Sequence, residues 1–289
     1  MRQSLWMLAA AFFYACMSAL VKQCSVEVGT FEIVFFRALL TLIFIYALMR
    51  MEHIGVATQY LGRHLCRSIC GAVAFTLWFA SMGHLPLGTS VTLSYTGPIF
   101  IALTTLVLCL IHGKKFPWLL VAAIFLGFLG ICIMMHPTLN PGAFGWMLMA
   151  LCTGLFAPII FMTIQRLGQL GEPSSRIVFY FMLVSTIWGA AGMLLLEGGL
   201  HEHSTSIWVM LFGVGICSTL AQLFMTRAYA KGNLLVSACF HFATIPFAEL
   251  FSVFVFRESL SPDALIGMGL ILTAGVIATV SSKSKHRHH

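Results

Sequence analysis

Ten apolar stretches of about 20 residues follow one another along this chain, each long enough to cross about 30 Å of hydrocarbon at a rise of about 1.5 Å per residue. They lie near residues 4–22, 31–49, 65–83, 88–111, 117–135, 143–164, 176–196, 206–229, 234–256 and 262–281. Short turn signals part them: Glu27–Gly29, Leu85-Pro86-Leu87-Gly88, His112–Gly113, His136–Pro137 with Asn140-Pro141-Gly142, Gly171-Glu172-Pro173, Gly198–Gly199, Gly232–Asn233 and Ser261–Pro262. The third and fourth stretches are joined so tightly that they must form a hairpin, as must the eighth and ninth. Of 289 residues, 60% are hydrophobic and 9% charged, whereas a soluble domain carries about a quarter charged residues. The expected fold class is therefore an all-α polytopic membrane protein with ten transmembrane helices. Arg2 and the run behind it read as a retained first helix, because the run is too long for a signal peptide.

The placement of charge supports the count of ten. With ten crossings both ends of the chain lie on one side, together with Arg2, Arg50, Arg63, Arg67, Lys114, Lys115, Arg166, Arg176, Arg227, Lys231, Lys283, Lys285 and Arg287. The other side holds only Lys22 and Arg257, along with the acids Glu27, Glu32, Glu197, Glu202, Glu258 and Asp263. Adding or removing one helix would scramble this separation. The positive-inside rule then puts both termini in the cytoplasm. The net charge of +7 thus belongs to a membrane surface, and nucleic acid is not an expected partner.

The second half echoes the first. Trp6-Met7-Leu8 recurs as Trp146-Met147-Leu148, and Ile33-Val34-Phe35-Phe36 recurs as Ile177-Val178-Phe179-Tyr180. Pro98 matches Pro246, Pro117 matches Pro262, and Gly130 matches Gly275. Two repeats are expected, residues 1–138 and residues 139–289, the second with a short basic tail. Each holds five spans, an odd number, so the second inserts upside down relative to the first and a site is expected at the bilayer midplane.

Proline has no N–H to donate and crowds the carbonyl one turn back. Pro246 therefore frees the carbonyl of Phe242, with His241 before it and Glu249 after it. In hydrocarbon a freed carbonyl is tolerated only where it faces protein or a water-lined cavity. The first half repeats the arrangement with Ser94, Tyr95 and Pro98. Two interrupted helices, one per half, point to a transporter's binding site.

These residues resemble those of EamA-type transporters in the drug/metabolite transporter (DMT) superfamily. The resemblance is carried by Phe31-Glu32-Ile33-Val34-Phe35-Phe36-Arg37, by Arg63 to Arg67 with Gly71 and Phe75-Thr-Leu-Trp78-Phe79-Ala80, and by Leu85-Pro86-Leu87-Gly88 with Pro98-Ile99-Phe100. In the second half it is carried by Ala221-Gln222-Leu223-Phe224-Met225-Thr226-Arg227-Ala228-Tyr229 and by Pro246, Glu258, Pro262, Gly267 and Gly275. It covers nearly the whole chain. It implies a ten-helix bundle of two inverted five-helix repeats around a central cavity, working by alternating access as an exporter or facilitator of small metabolites. Such transporters carry amino acids, S-adenosylmethionine, riboflavin or nucleotide sugars. One departure stands at Gly113, where the first repeat of such transporters usually has a Glu; Glu258 is kept, so no symmetric pair of acids is expected there.

Candidate site residues follow from depth and chemistry. Arg37 sits roughly 9 Å into its span at helical rise, at a depth similar to Glu249 in the other half, so the two could pair. The alternatives to a working pair are a static one or an Arg37 that snorkels to the headgroups. Substrate or a proton competing for Glu249 would open and close the outer side. His241 could relay protons or simply be bonded to a nearby carbonyl. Ser94, Tyr95 and Thr244 could meet a ligand or bond back to their own helices. Tyr14 and Trp78 could stack on a flat or cationic substrate or pack. Gln222, in mid-span, must find a partner. Arg227, Tyr229, Lys231 and Asn233 are read as anchors at the inner mouth. His201-Glu202-His203 and the terminal His286-Arg287-His288-His289 could bind metal, yet read better as a solvated loop and tail. Nine scattered cysteines without CxxC spacing read as packing residues.

The function expected is a secondary transporter of a small organic metabolite, an amino acid or similar zwitterion or an organic cation with an aromatic part, across a bacterial-type inner membrane. An uptake carrier for S-adenosylmethionine, riboflavin or a nucleotide-type metabolite is the alternative. A membrane-embedded enzyme would need nucleophile, base or metal ligands clustered at one depth, and a channel would favour rings of like residues from several subunits. Neither cofactor nor metal is expected, and the partners are a small-molecule substrate and the lipid bilayer, around a monomer or homodimer.

Overall fold

The computed structural model describes residues 3–85, 90, 93–113, 117–135, 141–247, 250 and 262–286, and every regular element among them is a helix. In chain order these are α1 (Trp6–Cys24), α2 (Thr30–Met51), α3 (Leu61–His84), α4 (Gly97–Ile111), α5 (Trp118–Met135), α6 (Phe144–Leu155), α7 (Ala157–Gln169), α8 (Ser174–Leu196), α9 (Thr205–Lys231), α10 (Leu234–His241) and α11 (Pro262–His286). Each expected stretch corresponds to a helix, with α6 and α7 together making the sixth. Among the described residues six runs can cross a membrane by length and composition, residues 144–169 counting as one, and four further apolar helices are shorter. The chain is an all-α polytopic membrane protein. Exposed Leu, Ile and Val side chains such as Ile43, Ile187, Leu272 and Val276 form the surface that lipid would cover.

Three helices are interrupted where proline interferes with the ladder. The fourth stretch turns at Tyr95–Thr96, and α4 starts afresh with Pro98 in its first turn. The ninth turns at Phe242–Ala243, just ahead of Pro246, and the Phe242 carbonyl is taken up by the Ile245 N–H at 3.1 Å. The sixth turns at Phe156 with Pro158 in the first turn of α7, a break the sequence reading passed over. The fourth and sixth breaks meet, since a Cβ on Gly154 would come within 2.3 Å of Thr96 Oγ1 and 3.0 Å of the Gly97 nitrogen.

The most extensive packing joins opposite halves. Helix α1 lies on α9, α2 on α8, α5 on α11, α3 on α6 and α7, and α4 on α10. Exchange each span for its counterpart five along and this set of pairs returns to itself. Two inverted copies around a pseudo-two-fold axis give that pattern.

The α2–α8 pair is fastened at both ends. Glu197, after α8, accepts hydrogen bonds from the Phe31 and Glu32 N–H groups at 2.9 and 3.0 Å. Glu52, after α2, accepts from Ser175 Oγ at 3.4 Å. Each carboxylate thus sits at the other helix's N-terminus, where orphan N–H groups and the helix dipole favour negative charge. At the same end as Glu52, buried Glu172 accepts from Thr58 Oγ1 at 2.6 Å and Arg176 Nη1 at 3.1 Å, and lies 3.5 Å from His64 Nε2. At the other end Glu32, expected to face outward, is fully buried and bonded to His203 Nε2 at 2.8 Å and His201 Nδ1 at 3.4 Å. The His201–His203 loop is therefore folded onto α2 rather than simply solvated, because a carboxylate without water needs donors.

Candidate functional site

A cavity of about 100 Å³ opens where the broken fourth and ninth stretches meet α1, α3, α6 and α7. Its wall includes six expected residues: Tyr14, Trp78, Ser94, Tyr95, Pro98 and His241. Pro246 is buried but is not part of the wall. His241 is ringed by aromatics, with its centroid 5.7 Å from that of Tyr14, 5.3 Å from Tyr95 and 6.0 Å from Phe161. Phe75 and Phe161 continue this lining, so the surface is apolar and aromatic with a few polar groups set into it, as small-molecule sites usually are.

The residue missing from the sequence reading is Arg67. Counted there among charges at the basic face, it is 1% exposed and lines the cavity. Its guanidinium carbon lies 3.7 Å from the Phe181 ring centroid, and Nη2 donates to Gln222 Oε1 at 3.4 Å. An arginine six residues into α3 reads like a headgroup anchor when depth alone is considered. The signal available was Gly71 one turn on, where a Cβ would stand 2.9 Å from Arg67 Nη1 and 2.7 Å from Phe181. The glycine leaves room for both.

Gln222 finds its partners as expected: besides Arg67, its Nε2 donates to Tyr14 Oη at 2.9 Å. It stands one bond behind the wall. Arg37 is fully buried, donating from Nη1 to Ser218 Oγ at 3.3 Å, with its guanidinium 4.1 Å over Phe75 and 5.7 Å from Phe181. It does not snorkel. Glu249, its expected partner, lies outside the described residues, as do Glu258 and the terminal residues 287–289. Thr244 bonds back to the His241 carbonyl at 2.9 Å, the local alternative for such a hydroxyl. Tyr229 is fully buried and stacked on Phe161 at 4.1 Å, and Asn233 caps α10 by accepting from the Val236 N–H at 3.1 Å. Tyr229 departs from its expected role as an anchor at the mouth, whereas Asn233 stays exposed in the loop. No cluster of three potential metal ligands occurs among the described residues.

Sequence and fold comparisons agree with this architecture. Residues 1–136 match the EamA-like transporter family. A pseudopaline exporter of Pseudomonas aeruginosa is 28% identical over 279 residues, spanning 95% of this chain and 94% of its own length. Riboflavin transporters of Brucella anthropi and Vibrio cholerae are 24% and 22% identical, over 93% and 98% of this chain and 95% of their own lengths in each case. A solved crystal structure superposes with a TM-score of 0.82 at 15% identity, covering 98% of both chains, which shows a shared fold.

Proposed function

For a chain that carries an EamA-like transporter family domain over residues 1–136, we propose a secondary carrier that moves a small organic metabolite across a bacterial inner membrane by alternating access, as an exporter or facilitator. The observation that carries this reading is the cavity between interrupted helices of the two halves, lined by Tyr14, Arg67, Trp78, Ser94, Tyr95 and His241. Helix interruptions at the middle of a bundle are tolerated where they line a cavity rather than face lipid. The two units, residues 1–138 and 139–289, rock against each other with both termini cytoplasmic. Glu249 and His241 are the proton-coupling candidates, and Arg37 stands behind the wall as a charge that tunes it. Riboflavin-like cargo is a second reading, favoured by the aromatic ring around His241, where a flat heterocycle could stack.

Purified protein in proteoliposomes should show saturable uptake of its substrate, and Glu249→Gln should abolish it without loss of folded protein. Flux that rises linearly with concentration would instead describe a channel, and undiminished flux in the variant would remove Glu249 from the mechanism.

A further inference from the structure

Several hydrogen-bond donors stand unpartnered in the cavity wall. Arg67 Nε and Nη1, Trp78 Nε1 and Ser94 Oγ are buried there without a partner among the described residues. Tyr14 Oη accepts from Gln222, which leaves the phenolic proton for an acceptor in the cavity. Among the described residues no Asp or Glu lines the space. Phe181 covers one face of the Arg67 guanidinium, so its free N–H groups are left in the plane. Arg37, also fully buried, has Nε and Nη2 unpartnered and lies 5.7 Å from the same ring. Two guanidiniums in a dry interior are costly unless an anion or strong acceptors meet them.

Deepening the carrier reading on which it rests, we propose that the cavity takes its substrate by a carboxylate, received by Arg67 with Trp78 and Ser94 as further donors, while an apolar or aromatic body lies against Tyr14, Tyr95 and Phe161. A planar carboxylate suits one guanidinium edge flanked by neutral donors. A phosphoryl dianion would call for several cations in the wall, and among the described residues only Arg67 is there. An organic cation without a carboxylate would face the like charge of Arg67, with Arg37 close behind the wall.

The test is thermal melting of the purified protein with matched probes: indole-3-acetate and phenylalanine against indole-3-acetamide, phenylalaninamide and phenethylamine. The acids should raise the melting temperature and the amides and amine should not. Arg67→Gln should weaken acid binding about 10- to 100-fold, the loss of one charge-assisted contact, with Arg67→Lys in between. Should Arg67→Gln fail to fold, Trp78→Phe keeps an aromatic side chain, removes one donor, and should still weaken binding several-fold. Equal stabilisation by amides or amine, no shift with either acid, or wild-type acid binding by the folded variants would overturn the proposal. So would riboflavin that stabilises wild type and Arg67→Gln alike. Acid binding through Arg67 without flux of the same labelled acid in proteoliposomes would overturn the carrier reading and leave the site. Saturable flux indifferent to Arg67→Gln would do the reverse.

Discussion

Glu32 shows what a single buried carboxylate does in this molecule. Its two histidine partners come from about 170 positions away in the chain, and together they fold the loop before α9 onto the start of α2. Replacing Glu32 with Gln keeps the shape but removes the charge that both imidazoles face. We expect a loss of about 1.5–3 kcal/mol in stability, the range for a hydrogen bond to a charged group, read as a lower melting temperature. Glu202→Gln, at an exposed position between those histidines, should melt like wild type. Neither this cluster nor the one around Glu172 was legible in the sequence, because long-range pairing leaves no periodic trace. Arg67 was hidden for a different reason: near the end of a span, an arginine that anchors and one that turns inward have the same local sequence.

At the scale of the helix, what the sequence disclosed was each interruption that carries both a proline and polar neighbours. Pro98 and Pro246 stood out because hydroxyl or ionisable residues flank them. Pro158, among wholly apolar neighbours, did not, although it stands in the first turn of α7. The crossing of α2 and α8 was silent too, since it depends on a missing side chain. A Cβ at Gly189 would lie 2.7 Å from the Phe35 nitrogen and 2.8 Å from its Cα, and backbone cannot rotate out of the way. Gly189→Ala should therefore cost about 1–3 kcal/mol, as overpacking usually does, and should lower the yield of monodisperse protein on size exclusion. Gly145→Ala, where nothing lies within 4 Å, should hold or gain stability by up to about 1 kcal/mol, because alanine is the better helix former. A melting comparison of the two variants checks the contact directly.

At the scale of the whole chain, the ten spans were readable from hydropathy and charge alone, since lipid permits few other solutions. The cross-half pairing was not, because periodicity says which face is apolar and not which helix will cover it. With α2 and α8 joined by carboxylate caps at both ends, that pair should stay together as the halves move. Spin labels at the exposed residues Ile43 and Ile187 should give one narrow distance distribution, unchanged when substrate saturates the protein. A distribution that splits or shifts would show that the seam itself opens. The same interleaving bears on how the molecule is made. Arg37 and Arg67 belong to the portion synthesised first, yet Ser218, Gln222 and Phe181, which hold them, emerge from the ribosome later. Until then Arg67 lacks the ring and the amide that hold it and Arg37 keeps only early ring contacts such as Phe75, so final compaction must wait on the arrival of their inverted twin.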